Sequence, residues 1–412
     1  MSITFPNSIV NLSASVRHPQ LKSVLPPYPC CSFLVIPYHG NSHLTSLIVS
    51  AVKSQHSSLQ DQNRFPLGLE FLLLLAVHDF LEVIDLQTGV LLKRFTFPTA
   101  IIKLAALFRT PTLYVAVGFQ RGDVTIFSPF DKSDYLHFNT SGSIIRHPVT
   151  FLAFNESFNL LVSFADGSIH EFNPSLKKCS SWDEGGVNLV SPYFLIRSQK
   201  SSMCNPISRY CLSHRSVTCF DLCSFNKVRL LYSVSSDGCC KAIDVESGHL
   251  LYEHKTFSSL KSVKISNDGL AVVVGTEADE ILLLNRECSL LARLTGHCNW
   301  PRSMAFLPTR ELEYLLVSVD LAGILLFYTF SIRNGTVQHG QDVALVGNND
   351  GVDGLGLGFP TVSPVARFEA EEALSEVKVV GGFVIATSLS GNVFLWSVAE
   401  IVEHCFGCNV SM

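Results

Sequence analysis

The stretch LLYSVSSDGCCKAIDV (Leu230–Val245) decides the reading of this chain. An apolar run leads into a polar turn at Asp237-Gly238, and a second apolar run follows. Period-2 alternation on both sides of a tight Asp-Gly turn is the signal of a β-hairpin. Working outward, the pattern returns in LLVSFADGSIHEFNP (Leu160–Pro174, turning at Asp166-Gly167), YLLVSVDLAGILLFY (Tyr314–Tyr328) and GGFVIATSLSGNVFLWSV (Gly381–Val398). Looser copies are LLLLAVHDFLEVIDL (Leu72–Leu86), LYVAVGFQRGDVTIFSP (Leu113–Pro129) and LAVVVGTEADEILLLN (Leu270–Asn285).

The seven turns fall at Asp79, Gly122, Gly167, Gly238, Asp279, Gly323 and Gly391, mostly 41 to 45 residues apart, with two longer gaps of 71 and 68. A repeat of that length is a four-stranded blade of a WD40 propeller. The fold predicted is therefore all-β, a seven-bladed WD40-type β-propeller over residues 71–398, with a tail at 399–412. The long gaps place insertions at Lys177–Met203 and Arg333–Thr361, and the second, rich in Gly and Asp, reads as a mobile loop. Residues 1–70 show no repeat; PPYP (Pro26–Pro29) and the polar Ser54–Asn63 read as an extension, partly disordered. Its two apolar runs, Cys31–Ile36 and Leu44–Val52, are the candidates for a strand that closes the ring in the last blade and so removes an exposed edge.

With 47% hydrophobic residues and a mean hydropathy of +0.30, a large core can be built. A net charge of −5 gives no general argument for nucleic-acid binding, which needs a basic surface. The longest apolar run, Phe71–Val77, is far short of the ~20 residues that span a bilayer. The N-terminal sequence lacks the basic start and apolar core of a secretory signal. Thirteen cysteines, an odd number on a long chain, point to reduced thiols in cytoplasm or nucleus.

Motifs that would carry chemistry fall away one by one. Gly351–Gly358 (GVDGLGLG) lacks the flanking strand, helix and lysine of a phosphate cradle. Asn349–Gly354 has glycine where a calcium loop needs a side-chain oxygen. Cys405 and Cys408 form one C-x-x-C pair without a second, whereas zinc wants four ligands. No nucleophile elbow and no H-E-x-x-H occurs. The reading is a non-enzyme without cofactor or metal.

Gly296-His297 stands at the "GH" position of a WD repeat, and Trp396 is the one tryptophan at the "WD" position. Phe127, Phe172, Ile243, Leu284 and Phe327 fill the equivalent places. Such positions, with Asp166, Gly167, Asp237, Gly238 and Gly391, lock turns and pack between blades. Phe257 and Trp300 differ: each follows a polar stretch and precedes a blade's first strand, where a loop crosses the propeller's rim. A rim aromatic is either tucked beneath its loop or exposed as a binding anchor, and spacing leaves both open.

From Cys204 onward the segments CNPISRYCLSHRSVTCFDL, SSDG, HKTFSSLKSVKISNDGLAVVVGTEADEILLLN, LLARLTGHCNWPRSMAFLP and YLLVSVDLAGILLFY follow in order. They resemble the blades of the family of WD repeat-containing protein 20, the fungal catabolite-repression protein CreC and the dystrophia-myotonica WD-repeat protein. Asn205-Pro206, Ala292-Arg293, Gly296-His297 and Trp300 are the more specific matches, as is the insert before SPVARFEAEEALSEVKVVGGFVIATSLSGNVFLWSV. The resemblance implies a non-catalytic scaffold that binds a ubiquitin-specific protease with its rim and raises its activity, in some cases beside a second WD-repeat activator. It implies that Phe257 and Trp300 touch the protease, and a monomer outside its complex. Ser258-Ser259 replaces the glycine pair usual after the Phe257 position. Fold alone would equally permit a WD40 platform in a ubiquitin ligase or a ribosome-assembly complex.

Overall fold

A computed structural model of the chain describes residues 10–11, 16–17, 30–37, 71–86, 90–109, 112–130, 135–139, 147–155, 157–173, 193–195, 202–203, 208–211, 215–225, 228–307, 313–333, 335–338, 359–399 and 401. The chain is a seven-bladed β-propeller of small antiparallel sheets. Gly351–Gly358, Asn349–Gly354, Cys405, Cys408, Pro26–Pro29, Ser54–Asn63 and Leu44–Val52 lie outside the described residues.

The strands fall in two compact units, one built on His18–Val217 and the other on Thr218–Ala386. In the former, the first blade comprises Cys30–Pro37, Phe71–Val77, Phe80–Asp85 and Val90–Thr96. The second comprises Ile101–Arg109, Thr112–Phe119, Asp123–Phe127 and Tyr135–Asn139. The third comprises Val149–Phe154, Leu160–Phe164, Ser168–Phe172 and Ser208–Cys211.

The other unit begins with the fourth blade, Val217–Phe225, Val228–Ser235, Cys239–Asp244 and Leu250–Lys255. The fifth is Leu260–Ile265, Ala271–Thr276, Ile281–Asn285 and Leu290–Leu294. The sixth is Pro301–Leu307, Glu313–Asp320, Ile324–Arg333 and Ala366–Glu369. The seventh is Leu374–Val380, Phe383–Ser388 and Val393–Ser397, closed by Val16–Arg17.

Two expectations change here. The strand that completes the last blade is Val16–Arg17, pairing Val16 with Leu395 and Arg17 with Phe394. Cys30–Pro37, which contains the expected closing run Cys31–Ile36, is instead the first strand of the first blade, paired with Phe71–Val77. The propeller thus starts well before residue 71. Thirty-odd residues separate these two partners in sequence, so a template of about 40 residues per blade could not join them.

The described parts of the two insertions also add strands. Tyr193–Leu195 lies parallel to Val90–Thr96, and Ser202–Met203 lies parallel to Tyr135–Asn139. Thr361–Val362 lies parallel to Leu290–Leu294, and Thr336–Gln338 folds back on Ile324–Arg333.

The second strand of a blade, such as Leu160–Phe164 or Ala271–Thr276, is buried along its whole length. A blade stacked between neighbours covers both faces, so these strands read as continuous apolar runs, not alternating ones. Within one unit the first and second blades share a core of Leu72, Leu74, Val115, Val117 and Phe127. Within the other, the fifth and sixth share Val273, Leu283, Leu316, Leu326 and Tyr328. Each such side chain contributes about 1.5–3 kcal/mol by leaving water.

The hairpin turns hold their shape by geometry. The N–H groups of Gly122, Gly167, Gly238, Gly323 and Gly391 each donate to the carbonyl three residues back, and each glycine has φ between +82° and +88°. That is a type I turn followed by a left-handed residue. Asp279 takes the same conformation at φ +61°, and His78 does so in the first blade in place of Asp79.

Candidate functional site: a rim of aromatic and charged side chains

The loop entering the fifth blade is tied down by Thr256. Its N–H donates to the Gly238 carbonyl (2.8 Å) and its Oγ1 donates to the Ser258 carbonyl (2.7 Å). The tie needs glycine at 238: a β-carbon there would collide with the Thr256 carbonyl oxygen. Farther along, the Ser259 carbonyl accepts from the Glu277 N–H at 2.9 Å. Phe257 stands between these anchors with its whole side chain in solvent.

Trp300, in the loop entering the sixth blade, is half-buried. Its N–H donates to Asn299 Oδ1 (2.8 Å), and Lys261 Nζ sits 4.3 Å from its ring centroid. Lys261 also reaches Glu277 at 3.4 Å. The next residue, Pro301, accepts a hydrogen bond from Ser262 Oγ (2.8 Å), and a β-carbon at Gly275 would strike both groups. Of the two alternatives left open for a rim aromatic, Phe257 takes the exposed one. Trp300 takes an intermediate one, one face under a lysine. Spacing could not foresee Lys261 or Glu277, whose roles appear only when the two loops meet.

Beneath this rim, His297 is wholly buried. Its Nδ1 lies 2.8 Å from Asp320 Oδ2 and its Nε2 lies 2.6 Å from Ser318 Oγ. Asp320 Oδ1 accepts the Ala322 and Ile324 N–H groups at 2.9 Å each, fixing the turn before Gly323. A serine, a histidine and an aspartate in this order are also the parts of a hydrolytic triad. Here none of the three is reachable by a substrate, since Ser318 and Asp320 are buried completely. The network fastens the second strand of the sixth blade to the loop at Gly296 (φ +122°). Tyr328 completes it: its hydroxyl donates to the Thr295 carbonyl (3.0 Å), and burial pushes its phenol well above the usual range. Tyr328, five residues after Gly323 as Trp396 is after Gly391, is therefore the counterpart of Trp396, correcting Phe327.

Asp166 accepts from Ser168 N–H (3.0 Å) and Oγ (2.7 Å), and Asp237 accepts from Cys239 N–H (3.2 Å). Both close their own hairpins at Gly167 and Gly238. Trp396 packs against Phe368 at 5.0 Å and Phe394 at 5.9 Å. Among the described residues no group of His, Cys, Asp and Glu is disposed to hold a metal ion.

No family model matches the chain, and no curated protein matches it. Among solved structures it is similar to the computationally designed Ika8 protein, at 16% identity and a TM-score of 0.49 over 79% of this chain and 80% of that one. The architecture is that of a repeat scaffold suited to holding other proteins.

Proposed function

We propose that the chain is a non-catalytic scaffold that binds a ubiquitin-specific protease through the rim around Phe257 and Trp300 and raises its activity. The observation that carries this is Phe257: a phenylalanine wholly in water on a loop pinned at both ends. Leaving such a side chain exposed forgoes about 1.5–3 kcal/mol of burial, and interfaces recover it by using aromatics as anchors. The pinned loop means little ordering cost on docking. Trp300, Lys261 and Glu277 extend the contact with an aromatic face and both signs of charge. The sequence resemblance names the partner. Activation requires that the rim bind the protease's active arrangement better than its inactive one.

The test is purification of the native chain from its own cells, followed by ubiquitin cleavage by the eluate. A protease that co-elutes, with cleavage falling at least tenfold for Phe257→Ala with Trp300→Ala, supports the reading. Unchanged binding and cleavage by the folded double variant sinks it. Cleavage restored only when a second WD-repeat protein co-elutes would make activation a joint act. Recovery of a ubiquitin ligase or a pre-ribosomal particle with no protease would leave a scaffold of another complex.

A further inference from the structure

Among the described residues, four blades have their outermost sheet strand covered by a fifth, parallel strand two or three residues long. Tyr193–Leu195, Ser202–Met203, Thr361–Val362 and Val10–Asn11 cover the first, second, fifth and sixth blades. The fourth blade ends, among the described residues, at Leu250–Lys255 with nothing beyond it. That strand carries three consecutive exposed hydrophobics, Leu250 (50% exposed), Leu251 (44%) and Tyr252 (37%). Val228, at the start of the same blade's second strand, is exposed as well. Among the described residues the outermost strand of the third blade, Ser208–Cys211, also has no fifth strand, and its sequence offers no such run.

The register shows what is missing. In the first, fourth and fifth blades the outermost strand bulges by one residue, and the bulged residue is a leucine: Leu92, Leu251 and Leu291. Leu92 is buried and Leu291 packs against the core; both blades carry a fifth strand. That strand pairs from two residues past the bulge, at Arg94–Thr96 in the first blade and Arg293-Leu294 in the fifth. In the fifth blade it receives hydrogen bonds from the Arg293 N–H (to Pro360 O, 3.0 Å) and the Thr295 N–H (to Val362 O, 3.2 Å). Two past Leu251 is Glu253, so the equivalent donors are the N–H groups of Glu253 and Lys255.

From this juxtaposition we infer that the edge Leu250–Lys255 receives an extended apolar segment of a partner protein. The segment runs parallel to Glu253–Lys255 and covers Leu250, Leu251 and Tyr252. A bare sheet edge invites pairing, and native edges are blunted by charge, proline or bulges that aim away. The apolar half of this edge has no charge and no proline, and its bulge at Leu251 is one that the first and fifth blades carry beside a paired fifth strand. On the other half Glu253 is offset by Lys241 at 3.7 Å, and the remaining positive charge, Lys255, lies at the strand's end beyond the apolar run. Strand addition draws affinity from main-chain hydrogen bonds and specificity from alternate side chains. The edge does not depend on the identity of the rim's partner.

The probe is a fluorescein-labelled peptide FPTVSP, the sequence that covers the fifth blade (Phe359–Pro364), added to the full chain. The fifth blade's own copy is intramolecular, at millimolar effective concentration, and stays in place. Saturable binding is expected, with slowed amide exchange at Glu253 and Lys255 and at least a tenfold loss of affinity in Glu253→Pro. That variant deletes an outward N–H on an edge strand, where proline is tolerated, so its melting temperature should stay near that of the parent. Leu251→Asp should weaken binding similarly and serves should Glu253→Pro fail to fold. Absence of saturable binding overturns the inference, as does binding that both variants leave unchanged. Slow exchange of these two amides in the isolated chain also overturns it. If Leu251→Asp then turns a dimer into a monomer, the edge belongs to a second copy.

Discussion

Lys261 Nζ lies 4.3 Å from the centroid of the Trp300 ring while also reaching Glu277 at 3.4 Å. One lysine thus joins the first strand of the fifth blade to the loop entering the sixth and to a hairpin turn. At a half-exposed site a cation–π contact is worth about 0.5–1 kcal/mol, and an exposed ion pair about as little. Lys261→Met keeps the stem but removes the charge, so stability should fall by no more than ~1 kcal/mol by urea unfolding. If the rim docks a protease, the freed Trp300 should weaken that binding by roughly three- to tenfold, less than its own truncation would. An effect on stability larger than on binding would make Lys261 a structural brace only.

Gly238 ties two features together, because its hairpin turn supports the Phe257 loop. It sits at φ +84° against the Thr256 carbonyl. Gly238→Ala therefore adds a clash to the strain of a left-handed conformation, and at least 2 kcal/mol of stability should be lost. Gly335 is the control: φ is +74°, but nothing lies within 4 Å of an added β-carbon. Gly335→Ala should cost only the backbone term, about 1 kcal/mol. Equal losses in the two variants by thermal unfolding would show that the Thr256 contact does not matter.

Seven hairpin turns at a spacing of about 40 residues made the propeller legible, because an apolar run on each side of a polar turn recurs in every blade. What the spacing could not carry was pairing between segments distant in sequence. Cys30–Pro37 joins Phe71–Val77 across an unpatterned stretch. Val16–Arg17 is too short to register as a strand, since two residues show no period. The four covering strands have the same defect. At the site, Phe257 and Trp300 stood out as aromatics in polar loops. Lys261, Glu277 and the bare Leu250–Tyr252 edge did not, because exposure depends on what neighbouring chain segments leave uncovered. Tyr328 and its neighbour Phe327 are both aromatic and equally buried, so composition alone does not tell which of the two holds the position.

The His297, Ser318 and Asp320 network makes opposite predictions under a structural and a hydrolytic role. Removing His297 leaves the Asp320 carboxylate buried with only two backbone donors. Breaking a buried pair from one side costs about 3–5 kcal/mol, so His297→Ala should lose that order of stability in urea. Ser318→Ala loses one buried hydrogen bond and should cost about 1–3 kcal/mol. A fluorophosphonate reagent, which labels activated serines, should leave Ser318 unmodified in the native chain. Labelling of Ser318 that vanishes in His297→Ala would instead make the cluster catalytic.

Tyr314 gives the fifth and sixth blades a pH signature. Its hydroxyl donates to Asp268 Oδ2 at 2.6 Å, while Ser266 Oγ and the Leu270 N–H donate to Asp268 Oδ1. Burial pushes the Asp268 carboxyl up, but these hydrogen bonds outweigh it and hold the group below its ordinary value. A carboxyl depressed on folding adds stability above its unfolded pKa of ~3.9, lost as pH falls through the folded value. Burial, joined by Asp268, pushes the Tyr314 phenol up. Its contribution is full below the unfolded pKa of ~10 and is lost as pH rises through the folded value. Both contributions therefore stand between about pH 5 and 9. Tyr314→Phe removes one donor to the carboxylate, so stability falls at neutral pH and the acid-side decline becomes shallower. Urea midpoints measured from pH 2.5 to 10 check this. A variant with no deficit at any pH would mean that Tyr314 stabilises through its ring alone, by the 5.3 Å stack on Phe330 that phenylalanine keeps.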